Sequence, residues 1–371
     1  MGRQKRKFMS KTQLFICDDL SQSDDPQRYH LINAIAGREI PLTILSESEN
    51  DRKTIKRVNR RHRLQTYLEY LEELGPHLIH VSSLRCGAEI CLAARQSLGI
   101  PFVYYLFRSD LYRWGSRRHT VTTLQKLCQE ADAVIVDYAE TKSVLDIFGI
   151  PHLRTLIAGP LVPDSLFQQR NLDQLVRSKY RLETSPIILS IGLKASSKSC
   201  FPIIDATLRL SAEFPGLCCI MISSTETWPV IDEQTRRFRT EDCFRVSVEP
   251  EWDELVTLMA FADVITVTTS GQADRSAEWL ILAGAAMLKP ALGDASGSNV
   301  EMIQDGLTGF LIDTTDPKMT FQKIHLLLSH DQLRRKLGSQ ARQWADRFRV
   351  SKRIEKIRSI TEKILEGSDR T

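Results

Sequence analysis

No apolar run in this 371-residue chain approaches the roughly eighteen residues that cross a bilayer, so nothing in it reads as a membrane-spanning helix. A secretory leader is lacking as well: Met1 to Lys11 is basic, but a strand-like segment follows in place of an apolar core. The expected location is the cytoplasm, free or associated with the cytoplasmic face of a membrane. None of the eight cysteines (Cys17, Cys86, Cys91, Cys128, Cys200, Cys218, Cys219, Cys243) forms a C-x-x-C pair, and most lie inside apolar runs. Buried reduced thiols are therefore expected, and no metal site, because the histidines supply no short-spaced pairs either. Net charge is only +4. No aromatic stacking set accompanies the basic residues, so a nucleic-acid partner is not expected.

The charge that is present is uneven. Arg52, Lys53, Lys56, Arg57, Arg60, Arg61 and Arg63 form one basic stretch, and Arg108, Arg113, Arg117 and Arg118 another. Such clusters suit phosphates or an anionic membrane surface, or are simply solvated helix faces.

Short β-rich runs alternate with helical patterns through the first half, the mark of a parallel sheet with crossover helices. Strands are expected at Gln13–Cys17, Leu42–Leu45, His77–Val81, Phe102–Leu106 and Ala133–Val136, with helices near Asp25–Ala36, Asn50–Leu74, Gly87–Leu98 and Thr120–Glu130. The pattern loosens between Pro160 and Pro186, then repeats: strands at Ile187–Ile191, Leu217–Ile222, Phe244–Val248, Val264–Val267, Pro290–Leu292 and Phe310–Ile312. Helices are expected at Pro202–Phe214, Trp252–Ala260 and Ala277–Met287, and a helical tail from Pro317 breaks near Phe348–Val350. The expected fold is α/β, two doubly wound Rossmann-like domains facing a cleft, with ligands beyond the carboxyl ends of the strands. The expected division is 1–165, a linker at 166–185, 186–345, and a terminal helix at 346–371 packing back on the first domain.

One string in the second half is recognisable. Phe261-Ala-Asp-Val-Ile-Thr-Val-Thr-Thr-Ser270 leads to a small-residue helix, then Gly293-Asp-Ala-Ser-Gly-Ser-Asn-Val-Glu301 and Met302-Ile-Gln-Asp-Gly-Leu-Thr-Gly-Phe-Leu-Ile-Asp313. Together with Leu98-Gly-Ile-Pro101 and Gln129-Glu-Ala-Asp-Ala-Val-Ile-Val136, this resembles the retaining GT-B glycosyltransferases of the E-x7-E type. The resemblance implies transfer of a sugar from a nucleoside-diphosphate sugar to an acceptor, without a metal or other cofactor. Cell-surface polysaccharide or glycolipid synthesis, with a lipid-linked acceptor, is the setting it suggests.

Donor-binding residues follow from the same match. Ser296, Gly297, Ser298, Asn299 and Glu301 open a short helix whose amides suit a pyrophosphate, or which merely caps itself. Lys198 falls on the family's phosphate-binding lysine in Gly192-Leu-Lys-Ala-Ser-Ser-Lys198, with Lys194 as a displaced substitute for the arginine replaced by Leu193. The family's two glutamates, eight positions apart, fall on Arg275 and Ala283, which leaves Asp274 and Glu278 as candidate catalytic carboxylates. In the first domain, Phe107 and Arg108 stand where retaining members often place a histidine, and acidic Asp18 and Asp19 replace a glycine-rich loop. Asp18, Asp19, Arg108, Arg117 and Arg118 are the acceptor-side or membrane-side candidates. Because so many site residues differ, a catalytically inactive GT-B-like binding or scaffold protein is the alternative.

Overall fold

The computed structural model describes residues 12–17, 31, 34–35, 42–46, 56–57, 64–84, 86–108, 110–111, 118–147, 149, 155–168, 174–182, 186–192, 197–240, 242–267, 279–295, 297 and 299–368. The chain divides into two units, Met1–Leu161 with Val350–Thr371, and Val162–Arg349. The stretch read as a linker belongs to the second unit. Its helical piece packs there: the Tyr180 hydroxyl oxygen accepts from Ser247 Oγ at 2.7 Å, and Arg177 lies over the Phe261 ring.

In the first unit, strands β1 (Gln13–Cys17), β2 (Leu42–Ser46), β3 (Lys56–Arg57), β4 (Leu78–Ser82), β5 (Phe102–Leu106), β6 (Ala133–Val136) and β7 (Thr155–Ile157) form one parallel sheet in the order β3-β2-β1-β4-β5-β6-β7. Successive side chains point to opposite faces, and both faces are covered, which is why the central strands read as unbroken apolar runs. Leu14, Ile16, Val81 and Tyr104 face the apolar sides of helices α1 (Leu64–Leu74), α2 (Cys86–Leu98) and α3 (Arg118–Glu130). Phe15, Val103, Tyr105 and Ile135 face Ile354, Ile357 and Leu365 of the terminal helix, Val350–Ser368. A fourth helix, α4 (Ala139–Ile147), follows β6 and has no counterpart in the sequence reading.

This second face carries a buried polar line. His80 bonds the Tyr105 hydroxyl through Nδ1 at 2.9 Å and Gln13 Oε1 through Nε2 at 2.7 Å, with Phe15 stacked on the ring. An amide oxygen only accepts, so Nε2 carries the proton and Nδ1 accepts from Tyr105. Burial lowers the imidazole pKa to about 3.

The helix expected from about Asn50 is described over Leu64–Leu74, and Lys56–Arg57, within the expected span, is an edge strand on β2. Crowded like charges offer a helix no apolar stripe to bury, whereas an edge strand is held by backbone bonds alone.

The second unit repeats the plan. Strands β8 (Ile187–Ile191), β9 (Cys218–Ser223), β10 (Phe244–Val248), β11 (Val264–Val267), β12 (Ala291–Asp294) and β13 (Gly309–Ile312) run parallel in the order β10-β9-β8-β11-β12-β13. Between them lie α5 (Gln174–Lys179), α6 (Ser197–Ser211), α7 (Trp228–Phe238), α8 (Trp252–Phe261), α9 (Leu280–Ala286) and α10 (Asn299–Met302), followed by α11 (Pro317–Ser329) and α12 (Asp331–Ala345). Helix α9 is wholly buried, as its run of Ala and Leu requires. Helix α11 starts where Pro317 sets the first turn and the Asp316 carboxylate accepts from the Lys318 and Met319 amides. Among the described residues no helix is long and apolar enough to cross a membrane.

Candidate functional site

In doubly wound sheets ligands bind beyond the carboxyl ends of the strands, at the point where strand order reverses. In the second unit that point lies between β8 and β11. Ser190 and Thr266 stand directly opposite each other there, both buried, and neither hydroxyl has a hydrogen-bond partner among the described residues. Gly192 leaves β8 with its N–H on the Ile222 carbonyl at 3.0 Å, and Lys198 stands in the first turn of α6.

The loop after β12 adds a third unmet group. Asn299 is 0% exposed, and neither its Nδ2 nor its Oδ1 has a partner among the described residues. The amide lies against Gly293, where a Cβ would sit 3.2 Å from Nδ2. Burying an amide without partners costs about 1–3 kcal/mol, so a fold that keeps one usually has a use for it. Gly297 is left-handed at φ 61°, and Glu301 is half-buried on α10.

Helix α10 has only four residues, Asn299–Met302, and the Asn299 side chain adds an unmet amide at its start. Lys194, Ser296, Ser298, Asp274, Glu278 and the Lys198 side chain lie outside the described residues.

The motif that carries the family resemblance proves architectural. Asp305 Oδ1 accepts from the Leu311 amide at 2.9 Å and so pins the start of β13. Gly306 takes φ 70°, and Thr308 Oγ1 accepts from the Gln304 amide at 2.8 Å. A Cβ on Gly309 would lie 2.2 Å from the Ala291 carbonyl oxygen, so only glycine lets β13 approach β12. Downstream, the Thr314 amide donates to Asp294 Oδ1 at 3.1 Å, tying the exit of β13 to the exit of β12.

Sequence reasoning did not foresee a cleft of about 520 Å³ at the end of β10, lined by Lys179, Tyr180, Arg245, Ser247, Glu249 and Glu254. Glu254 Oε1 accepts from the Tyr180 hydroxyl at 2.5 Å and from Lys179 at 2.7 Å. The Tyr180 phenol pKa is raised, by burial first and by that carboxylate second. Glu249 holds φ 45°, unusual for a residue with a side chain, while its Oε1 accepts from the Thr225 amide at 3.0 Å.

In the first unit several polar groups at the carboxyl edge engage one another. Arg108 is 4% exposed, with Nη2 3.1 Å from Glu140 Oε2. The Arg108 guanidinium is thus turned inward rather than presented at the surface. Asp137, which follows β6, accepts from the Arg108 amide at 2.8 Å, the Tyr138 amide at 2.9 Å and the Thr141 hydroxyl at 2.7 Å. Burial raises its pKa to about 7, with Asp110 adding repulsion and the three donors opposing. Asp18, Asp19 and Arg117 lie outside the described residues, as do the Arg118 side chain and nearly all of the 52–63 stretch.

Both units thus carry the parallel doubly wound sheet of the GT-B glycosyltransferase fold, and solved structures of that class match nearly the whole chain. A glycosyltransferase from Rickettsia africae matches at TM-score 0.76 and 16% identity, covering 96% of this chain and 99% of its own. Alr3699/HepE from Anabaena, solved with UDP and glucose, matches at TM-score 0.78 and 15% identity, covering 95% of this chain and 100% of its own. By sequence, N-acetyl-alpha-D-glucosaminyl L-malate synthase from Bacillus anthracis is 22% identical over 200 residues, 54% of this chain and 51% of the relative. The chain therefore spans about half the length of the curated relative that it matches. No protein-family model matches the chain.

Proposed function

We propose that the protein is a glycosyltransferase: the second unit holds a nucleoside-diphosphate sugar and the first holds the acceptor. The observation that carries this reading is Asn299, a fully buried amide with no partner among the described residues, at the strand ends where such sheets take ligands. Its two N–H donors suit phosphate or sugar oxygens, and its carbonyl oxygen suits a sugar hydroxyl. Gly192 and Lys198 would approach the diphosphate, with the lysine offsetting charge on the leaving group in place of a metal. HepE was solved with UDP and with UDP-glucose, which makes UDP the first nucleotide to test. Retention at the anomeric carbon, sugar contact by Asp274 or Glu278, and a lipid-linked acceptor at an anionic membrane surface complete the proposal.

Calorimetry with UDP, GDP and ADP tests the donor site without knowledge of the acceptor. One nucleotide should bind, and Asn299→Ala and Lys198→Ala should each weaken it about tenfold, or about 1.4 kcal/mol. Mass spectrometry of reactions with a panel of nucleotide sugars should then show the nucleoside diphosphate released. Absence of both binding and release would leave a GT-B-shaped binding protein.

A further inference from the structure

We propose that Asp137 is a positioning residue that holds the turn after β5 in place for sugar transfer, and that a proton on its Oδ2 atom releases that turn. The proposal deepens the acceptor-side half of the reading above and rests on it for the activity arm alone.

The two carboxylate oxygens have different work. Oδ1 accepts from the Tyr138 amide and the Thr141 hydroxyl, both at the start of its own helix, α4. Oδ2 accepts from one group, the Arg108 amide, which belongs to the exit of the neighbouring strand β5. That exit leads into helical residues, Arg108, Asp110 and Leu111: the Asp110 amide donates to the Phe107 carbonyl at 3.0 Å, and the Phe107 amide to Asp110 Oδ2 at 3.3 Å. Oδ2 is therefore a tie between two strand exits, whereas Oδ1 serves its own corner.

A proton must choose between these oxygens. On Oδ1 it would compete with two donors; on Oδ2 it displaces one. The neutral acid therefore keeps the α4 corner and turns an O–H toward the Arg108 N–H, so that bond is lost. Among the described residues the charged group acting on this carboxylate is Asp110, whose repulsion favours the neutral form. The Arg108 guanidinium is engaged by Glu140 instead, which leaves a second tether on the turn. With burial raising the pKa to about 7, the tie changes hands near neutrality.

Hydrogen exchange read by mass spectrometry on a peptide covering 102–111 tests this in the full chain. After correction for intrinsic rates, exchange should be faster at pH 6 than at pH 8, by at most about tenfold, the change in neutral fraction of a group with a midpoint near 7. Asp137→Asn, whose amide mimics the neutral acid, should exchange fast at both pH values. Thr141→Val removes an Oδ1 donor and should move the midpoint to higher pH; Glu140→Gln removes the second tether and should enlarge the pH effect. The pH profile of transfer should show the same midpoint, lost in Asp137→Asn. Wild-type protection and pH response retained in Asp137→Asn would overturn the proposal; should that variant fail to fold, an unmoved midpoint in Thr141→Val would do so. If no nucleotide sugar is turned over but exchange behaves as described, the latch stands and the transferase reading falls.

Discussion

Asp137, half-buried, and Asn299, fully buried, both sit at the carboxyl ends of their sheets, yet one has three donors and the other has no partner among the described residues. Their surroundings explain the contrast. In the first unit the strand exits converge on one another, so Asp137 accepts from three donors and Arg108 pairs with Glu140. In the second, Ser190, Thr266 and Asn299 are closed off from water with capacity unspent. A satisfied buried group shapes a protein; an unsatisfied one carries a standing penalty that a ligand would remove.

The most disruptive way to test that contrast leaves both groups alone. Gly309→Val places side-chain atoms against the Ala291 carbonyl and should cost about 3 kcal/mol of stability in urea unfolding, because the motif there is architectural. Little change would mean that β12 and β13 can part without harm. Glu140→Gln leaves the Arg108 charge buried; since the Glu140 side chain is 37% exposed, solvent softens the loss to about 2 kcal/mol. Asn299→Leu should run the other way, stabilising the free protein by about 1 kcal/mol while abolishing nucleotide binding in calorimetry. If it destabilised the protein and left binding intact, Asn299 would be an ordinary structural amide.

The gentlest test varies pH. Asp137 titrates at about 7 when folded against 3.8 otherwise, so its contribution to stability falls as pH rises through that window. His80 titrates at about 3 when folded against 6.5 otherwise, so its contribution falls as pH drops from 6.5 toward 3. From roughly pH 4 to 6.5 the two slopes oppose and the wild type should be nearly flat. Asp137→Asn should lose stability toward acid, and His80→Gln should gain it, in urea titrations at a series of pH values. Parallel curves for all three proteins would contradict both assignments.

What could be read in advance follows the same physics. Strands such as Ile187–Ile191 and Phe102–Leu106 announce themselves because burial on both faces leaves an apolar run in one stretch of chain. The break before the terminal helix was visible too, and the structure places a short 3-10 turn there, Asp346–Phe348. Edge strand Lys56–Arg57 was not, because its pairing is backbone only. Asp137 looked like any turn aspartate after a strand; its role depends on the exit of β5, 29 residues earlier in the chain, lying beside it. Asn299 was read as an opening-turn amide, since sequence cannot distinguish a capping asparagine from one sealed against Gly293.

The first unit is discontinuous: Val162–Arg349 is inserted between Leu161 and Val350. Phe15, Val103 and Tyr105 therefore wait for Ile354, Ile357 and Leu365, which leave the ribosome only after the whole second unit has been made. The later half of the chain can finish folding first, and a nascent chain stopped before residue 350 would carry an uncovered apolar sheet face that invites chaperones.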